Sequence, residues 1–405
     1  MRGSDTMAYT YALINKETLA YICGKKGISN NFISDRTKLN ADKVALWLDS
    51  SDQALPTIKQ AKAIANCIHV PFAGLYMNPS DIPLKQIPSV KNMRTMYGTY
   101  SEDNSALNIA MIDLLLERDF LISAGTELEQ DTPPFVPCIP DSTDPIVWAN
   151  SIRSQFEISI EKQYKCSSSR QFYVYLRNQI ENKGVFIQCF TDVPLECARG
   201  FALYESTLPI IGVNDDDRPP AKSFTIIHEL VHLMKRESSL CNDMTNTSQT
   251  LSEEIFCNAV AGELLVPERA LNITLKNGQY VSPYSKEDIL QISKHFSVSR
   301  DVIIRRMLDL NKIDQLEYET YADLFRREVE KEREEQREAR KNGMTVGIPR
   351  DISRETIDRT SPSISRLLYY GFGEDYFSKQ DVARHLGIDQ KHVNKFLMEV
   401  STWSK

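Results

Sequence analysis

Residues 199–235 read RGFALYESTLPIIGVNDDDRPPAKSFTIIHELVHLMK, and a change of hydrophobic period inside this stretch decides the fold. RGFALYE and LPIIGVN are aromatic and β-branched runs bounded by Gly, Pro and Asp, which reads as short strands. With VFIQCF just upstream they predict a small sheet of about three strands between Gly184 and Gly212. After Pro219-Pro220 the period becomes helical. Phe224, Ile227, Val231 and Met234 recur at helical spacing, so a helix is expected over Lys222–Lys235.

That helix carries His228-Glu229-Leu230-Val231-His232, an HExxH. Residues four apart are neighbours on a helix, so both imidazoles project from one face and can share a metal ion. Glu229 lies on an adjoining face, placed to take a proton from a water that zinc has acidified. A catalytic zinc usually has three protein ligands, and the next predicted helix, Ser252–Leu265, offers Glu253, Glu254 and Glu263. Glu254 is the choice on packing, with Ile255, Cys257, Ala261 and Leu264 around it. Asn258 stands one turn on, where its amide can steady a ligating imidazole. Glu253 is expected to face solvent.

The rest of the chain bounds the setting. It has 405 residues, 41% of them apolar and 25% charged, an ordinary globular mixture. A formal charge of -7 and a pI near 5.6 exclude a protein whose whole surface coats nucleic acid or anionic lipid, and leave a local basic face open. No apolar run approaches the roughly 18–20 residues of a membrane span, so a soluble protein with no membrane partner is expected. The leading MRGSDTM lacks the apolar core of a secretion signal. Eight cysteines without a CxxC pair give neither a disulfide framework nor a thiolate zinc site, and a reducing cytoplasm is the expected compartment.

Residues 10–90 read as a small domain of helix-turn-helix type. Its helices are expected at Lys16–Lys26, Asn30–Leu39, Ala41–Asp49, Thr57–Ile68 and Phe72–Met77. A proline-rich linker, Pro79–Pro88, leads to a helical connector over 91–144 with a helix at Leu107–Ala124. Helices are expected at Ile146–Phe156 and Gln171–Lys183 before the strands, and at Lys286–Phe296 and Arg300–Leu310 after the metal helices. Residues 316–405 hold a charged helix, Tyr318–Lys341, stopped at Asn342-Gly343, then a small helical unit at Ile364–Leu368, Lys379–Leu386 and Gln390–Val400. No internal repeat is legible. The fold class is α+β, mostly helical, with a central zincin-like domain.

RGFALYESTLPIIGVN, FTIIHELVHLM, EEIFCNAVAGELLVP and ISKHFSVSRDVIIRRMLDL, in that order, resemble the ImmA/IrrE family of zinc-dependent metallopeptidase domains over about residues 145–315. The resemblance implies zinc held by His228, His232 and Glu254, with Glu229 as general base. It also implies limited proteolysis of a repressor-like protein. The N-terminal segment, through KVALWLDS, LPTIKQAKAIA, HVPFAGLYM and IPSVKNMRTM, resembles the Xre/Cro-type helix-turn-helix. Its recognition helix would be Ala41–Trp47, which offers only Lys43 as a cation, and residues 1–90 hold 10 Lys/Arg against 7 Asp/Glu. DNA binding by this domain and protein contact on a retained fold stand side by side. Two functions follow: a zinc endopeptidase cutting a regulatory partner, or a non-proteolytic DNA-binding regulator or antitoxin whose partner is a cognate toxin.

Overall fold

The computed structural model describes residues 10–85, 91–92, 103–241, 248–341 and 351–402. The leading MRGSDTM, most of IPSVKNMRTM, the end of the proline-rich linker and the Asn342-Gly343 stop lie outside them. The fold is α+β and mostly helical, with one small mixed sheet, and it divides into two compact units.

The first unit holds α1 (Lys16–Lys25), α2 (Asn30–Thr37), α3 (Ala41–Leu48) and α4 (Ile58–Cys67), with described residues 103–117 and 191–197. Side-chain caps set each start: Asn15, Ser29, Asn40 and Thr57 accept from the backbone N–H groups of Thr18, Phe32, Lys43 and Gln60. Leu19, Ile22, Ile33, Val44, Trp47 and Ile64 fill its core. The segment expected as an α-helix over Phe72–Met77 is a 3-10 turn, Phe72–Tyr76. Five residues behind Pro71 are too few to propagate α-helical bonding, and tighter three-residue bonds close the segment instead.

The second unit is built on strands β1 (Lys91–Asn92), β2 (Phe186–Phe190), β3 (Gly200–Leu203), β4 (Ile210–Asn214) and β5 (Ser239–Cys241). Their order is β1-β5-β3-β4-β2, with β3 antiparallel to both β4 and β5 and the outer pairs parallel. β2, β3 and β4 are the strands expected from sequence. β1 and β5, of two and three residues, are too short to carry a period. β4 is buried along its whole length, which is why IIGVN shows no polar alternation.

Two helices lead off this unit, α5 (Ser105–Glu127), whose first half belongs to the other unit, and α6 (Pro145–Gln155). Next come α7 (Ile160–Lys165) and α8 (Ser169–Glu181), then the two site helices α9 (Pro219–Met234) and α10 (Ser248–Leu265). They are followed by α11 (Glu268–Asn277), α12 (Lys286–Phe296), α13 (Arg300–Asp309) and α14 (Gln315–Lys341). The chain closes with α15 (Ile352–Arg359), α16 (Pro362–Gly373), α17 (Lys379–Leu386) and α18 (Gln390–Ser401).

Central to this unit is α9. Pro219 and Pro220 occupy its first turn, where a missing N–H is harmless, and twelve of its sixteen residues are buried. It packs against β3 and β4 on one side and against α8 and α10 on the others. Gly200 lets β3 come this close, since a Cβ there would stand 2.3 Å from Thr225 Cγ2. The charged helix α14 is anchored by its first turns: Phe325 is buried, and Tyr318, Tyr321 and Ala322 pack on the same core.

Of the last four helices, α15 and α16 are held by buried polar groups of α8. Arg177, fully buried, donates to the carbonyls of Ile357 at 2.8 Å and Asp358 at 2.7 Å, at the C-terminal end of α15. Glu181 accepts from the Ser361 hydroxyl at 2.9 Å and from the backbone N–H of Ser363 at 2.7 Å, capping α16.

Candidate metal centre

His228 and His232 stand one turn apart on α9, and Glu254 faces them from α10. Nε2 of His228 and Nε2 of His232 are 3.3 Å apart. The Glu254 carboxylate closes the triangle, Oε1 lying 3.1 Å from His232 Nε2 and Oε2 lying 3.2 Å from His228 Nε2. This spacing is a test of fit for a metal ion. Ligand atoms at about 2.0 Å from a tetrahedral ion stand about 3.3 Å from one another. Two imidazole nitrogens and a carboxylate, all buried, also form the donor set that a zinc-class ion takes.

The surroundings fix which ring atoms point inward. Asn258 Oδ1 lies 3.0 Å from Nδ1 of His228, and an amide oxygen can only accept. Nδ1 therefore carries the proton and Nε2 presents its lone pair to the site. His232 has Glu237 at 3.8 Å and the Cys257 thiol at 4.0 Å from its Nδ1. Burial opposes charge on Glu254, yet the two imidazoles facing it pull its carboxyl down to about 2. It is an anionic ligand at neutral pH.

Glu229 has a different environment from the three ligand residues. Its side chain is fully buried, and Oε2 accepts a 2.6 Å hydrogen bond from Ser239 Oγ on β5. Among the described residues, Oε1 is buried without a hydrogen-bond partner. Burial raises the Glu229 carboxyl above the ordinary range, against the opposing pull of His228, His232 and Ser239. An orphaned carboxylate oxygen with a raised proton affinity, beside two imidazoles, is the arrangement a general base needs.

All five residues singled out in the sequence are thus near one another: three ligand atoms in a triangle, Asn258 behind His228, and Glu229 alongside. The two competing carboxylates go elsewhere. Glu253 lies 4.0 Å from Lys235, and Glu263 forms a buried ion pair with Arg306. Ser239 and Glu237 are not singled out by the sequence, and Cys257 is read there only as packing beside Glu254. Ser239 sits on a three-residue strand with no period, and its sheet pairing, with Ala202 of β3 and Lys91 of β1, sets it beside the helix.

Ser239→Ala should leave metal content unchanged and lower turnover about tenfold, because Oε2 loses its hydrogen-bonding anchor and Glu229 can rotate away. Turnover of the metal-loaded variant within twofold of the parent would count against an orienting role.

Residues 189–308 match the family model of the IrrE N-terminal-like domain, a peptidase family. No curated protein and no solved structure matches the chain. The matched span runs from β2 into α13 and contains every residue of the site. Together with the His-His-Glu cluster, the match supports a metallopeptidase domain in this part of the chain. Among the described residues no helix is long and apolar enough to cross a membrane.

Proposed function

We propose that this chain is a zinc-dependent endopeptidase that cuts a repressor-like regulatory protein in the cytoplasm. The observation that carries the reading is the 3.1–3.3 Å triangle of His228, His232 and Glu254 with the unpartnered Oε1 of Glu229 beside it. His228, His232 and Glu254 would hold the ion, with Asn258 keeping His228 in the ligating tautomer. When bound, the ion supplies Lewis acidity to a peptide carbonyl and lowers the pKa of a water. Glu229 takes a proton on Oε1 and returns it to the leaving amine, while Ser239 keeps the carboxylate aimed. The buried flanks of α9 and α10 exclude bulk water from both groups. The substrate class is supported by the likeness of residues 189–308 to a peptidase family and by the repressor cleavage that the resemblance implies.

The purified chain should contain about one zinc ion per molecule, and His232→Ala should lower zinc affinity by well over a hundredfold. Elemental analysis after dialysis measures both. A parent chain that takes up no divalent metal, or a variant that retains it fully, would falsify the metal reading. Repressors encoded beside its own gene are the substrates to incubate with the loaded chain, and cleavage of none of them would remove the substrate class.

A further inference from the structure

Two helix pairs in this chain share one register. In the first, Ser29 caps α2, Ile33 is buried, Lys38 turns the backbone left-handed, Leu39 follows, Asn40 caps α3, and Val44 and Trp47 are buried. In the second, Ser378 caps α17, Val382 is buried, Gly387 turns left-handed, Ile388 follows, Asp389 precedes α18, and Val393 and Phe396 are buried. All seven positions of the second pair lie 349 residues beyond their counterparts, from Ser29 to Ser378 onward. Two short helices joined by a three-residue turn with a left-handed first residue form a helix-turn-helix, whose second helix is the one offered to a partner.

The outward face of that second helix separates the two. On α3 the exposed positions are Ala41, Asp42, Lys43, Ala45 and Leu46, one cation beside one anion. On α18 they are Gln390, Lys391, Asn394, Lys395 and Met398, two ammonium groups and two amides with no carboxylate. A third pair, α12 and α13, repeats the turn and the buried Ile303, but its face is occupied. Arg300 of α13 pairs with Glu328 of α14 at 2.6 Å and lies over the Phe325 ring.

We infer that α17 and α18 form a helix-turn-helix that binds duplex DNA, with α18 as the helix that enters the major groove. The inference is independent of the metal centre, and the family match ends before this unit begins. Gln390, Lys391 and Asn394 lie on the N-terminal half of α18, the half that meets base edges when such a helix docks. Asn and Gln amides pair with adenine and a Lys ammonium with guanine. Lys395 and the exposed Arg354 line one groove at the flank of α18 and provide phosphate contacts, although Asp351 and Glu399 share that groove. Lys391 now pairs with Asp389 at 3.1 Å and Lys395 with Asp351 at 2.6 Å. Such solvent-exposed pairs are weak, so a phosphate can displace either carboxylate. Residues 351–402 hold 7 Lys/Arg against 8 Asp/Glu, so the attraction is confined to this face and few counterions are released.

The test uses the full chain and a fluorescent mixed-sequence duplex of about 30 base pairs at low salt, read by anisotropy. The parent should bind, Lys391→Glu should weaken binding about tenfold, and Lys43→Glu on α3 should stay within twofold. Selection from a random duplex pool should yield a consensus that Asn394→Ala relaxes. All three positions are exposed, so the fold tolerates the changes. No binding by the parent overturns the inference, as does a Lys391→Glu variant within twofold of it, or loss of binding in Lys43→Glu alone.

Discussion

Glu229→Gln should keep its metal and lose about a thousandfold in peptide hydrolysis, within the range that a positioned general base contributes. Gln has the same shape and can still meet the Ser239 hydroxyl, so the ligand triangle is undisturbed. What disappears is an oxygen able to accept a proton at Oε1. The same substitution should not destabilise the fold. Burial holds the Glu229 carboxyl above its ordinary value, so its ionised form is unfavourable in the folded chain at any pH above that value. A neutral amide removes that penalty, and the melting temperature should stay level or rise. The decisive comparison is metal content, melting and cleavage on one preparation. Parent-like cleavage by the variant excludes Glu229 as the base, whereas loss of metal shows that it belongs to the ligand set instead.

Arg177→Met should loosen the last four helices by about 3 kcal/mol, the scale set by removing one side of a buried charged network. The guanidinium is the donor for two carbonyls at the end of α15, and Tyr173 supplies only a longer bond to one of them, at 3.3 Å. Methionine fills the volume and leaves those carbonyls short of donors. Glu181, buried and accepting from the Ser361 and Ser363 hydroxyls and the Ser363 backbone N–H, also loses a nearby positive charge. Hydrogen exchange at α15 and α16 should therefore speed up by about a hundredfold or more, while the amides of α9 stay protected. Unchanged exchange there would show that apolar packing alone seats these helices.

The site was legible because its ligands obey a local rule. His228 and His232 are four apart on one helix, and the apolar period of α9 states which face is buried. Glu254 needed packing to separate it from Glu253 and Glu263. The structure sends those two to Lys235 and Arg306, cations far away in the sequence or on another face. Helices such as α17 could be bounded closely because Ser378 and Gly387 punctuate both ends. α7, α11 and α15 were not expected from sequence, each being ten residues or fewer, too short for a period to stand out.

By itself, the amino-acid order determined the helical majority, strands β2, β3 and β4 and the paired imidazoles, all of which depend on neighbours close in sequence. Tertiary structure alone decided that Ser239 reaches Glu229, that α8 clasps α15 and α16 through Arg177 and Glu181, and that α18 presents amides and ammonium groups outward. Those contacts join residues as much as 182 positions apart, where no period or spacing carries information and only burial and partner geometry choose.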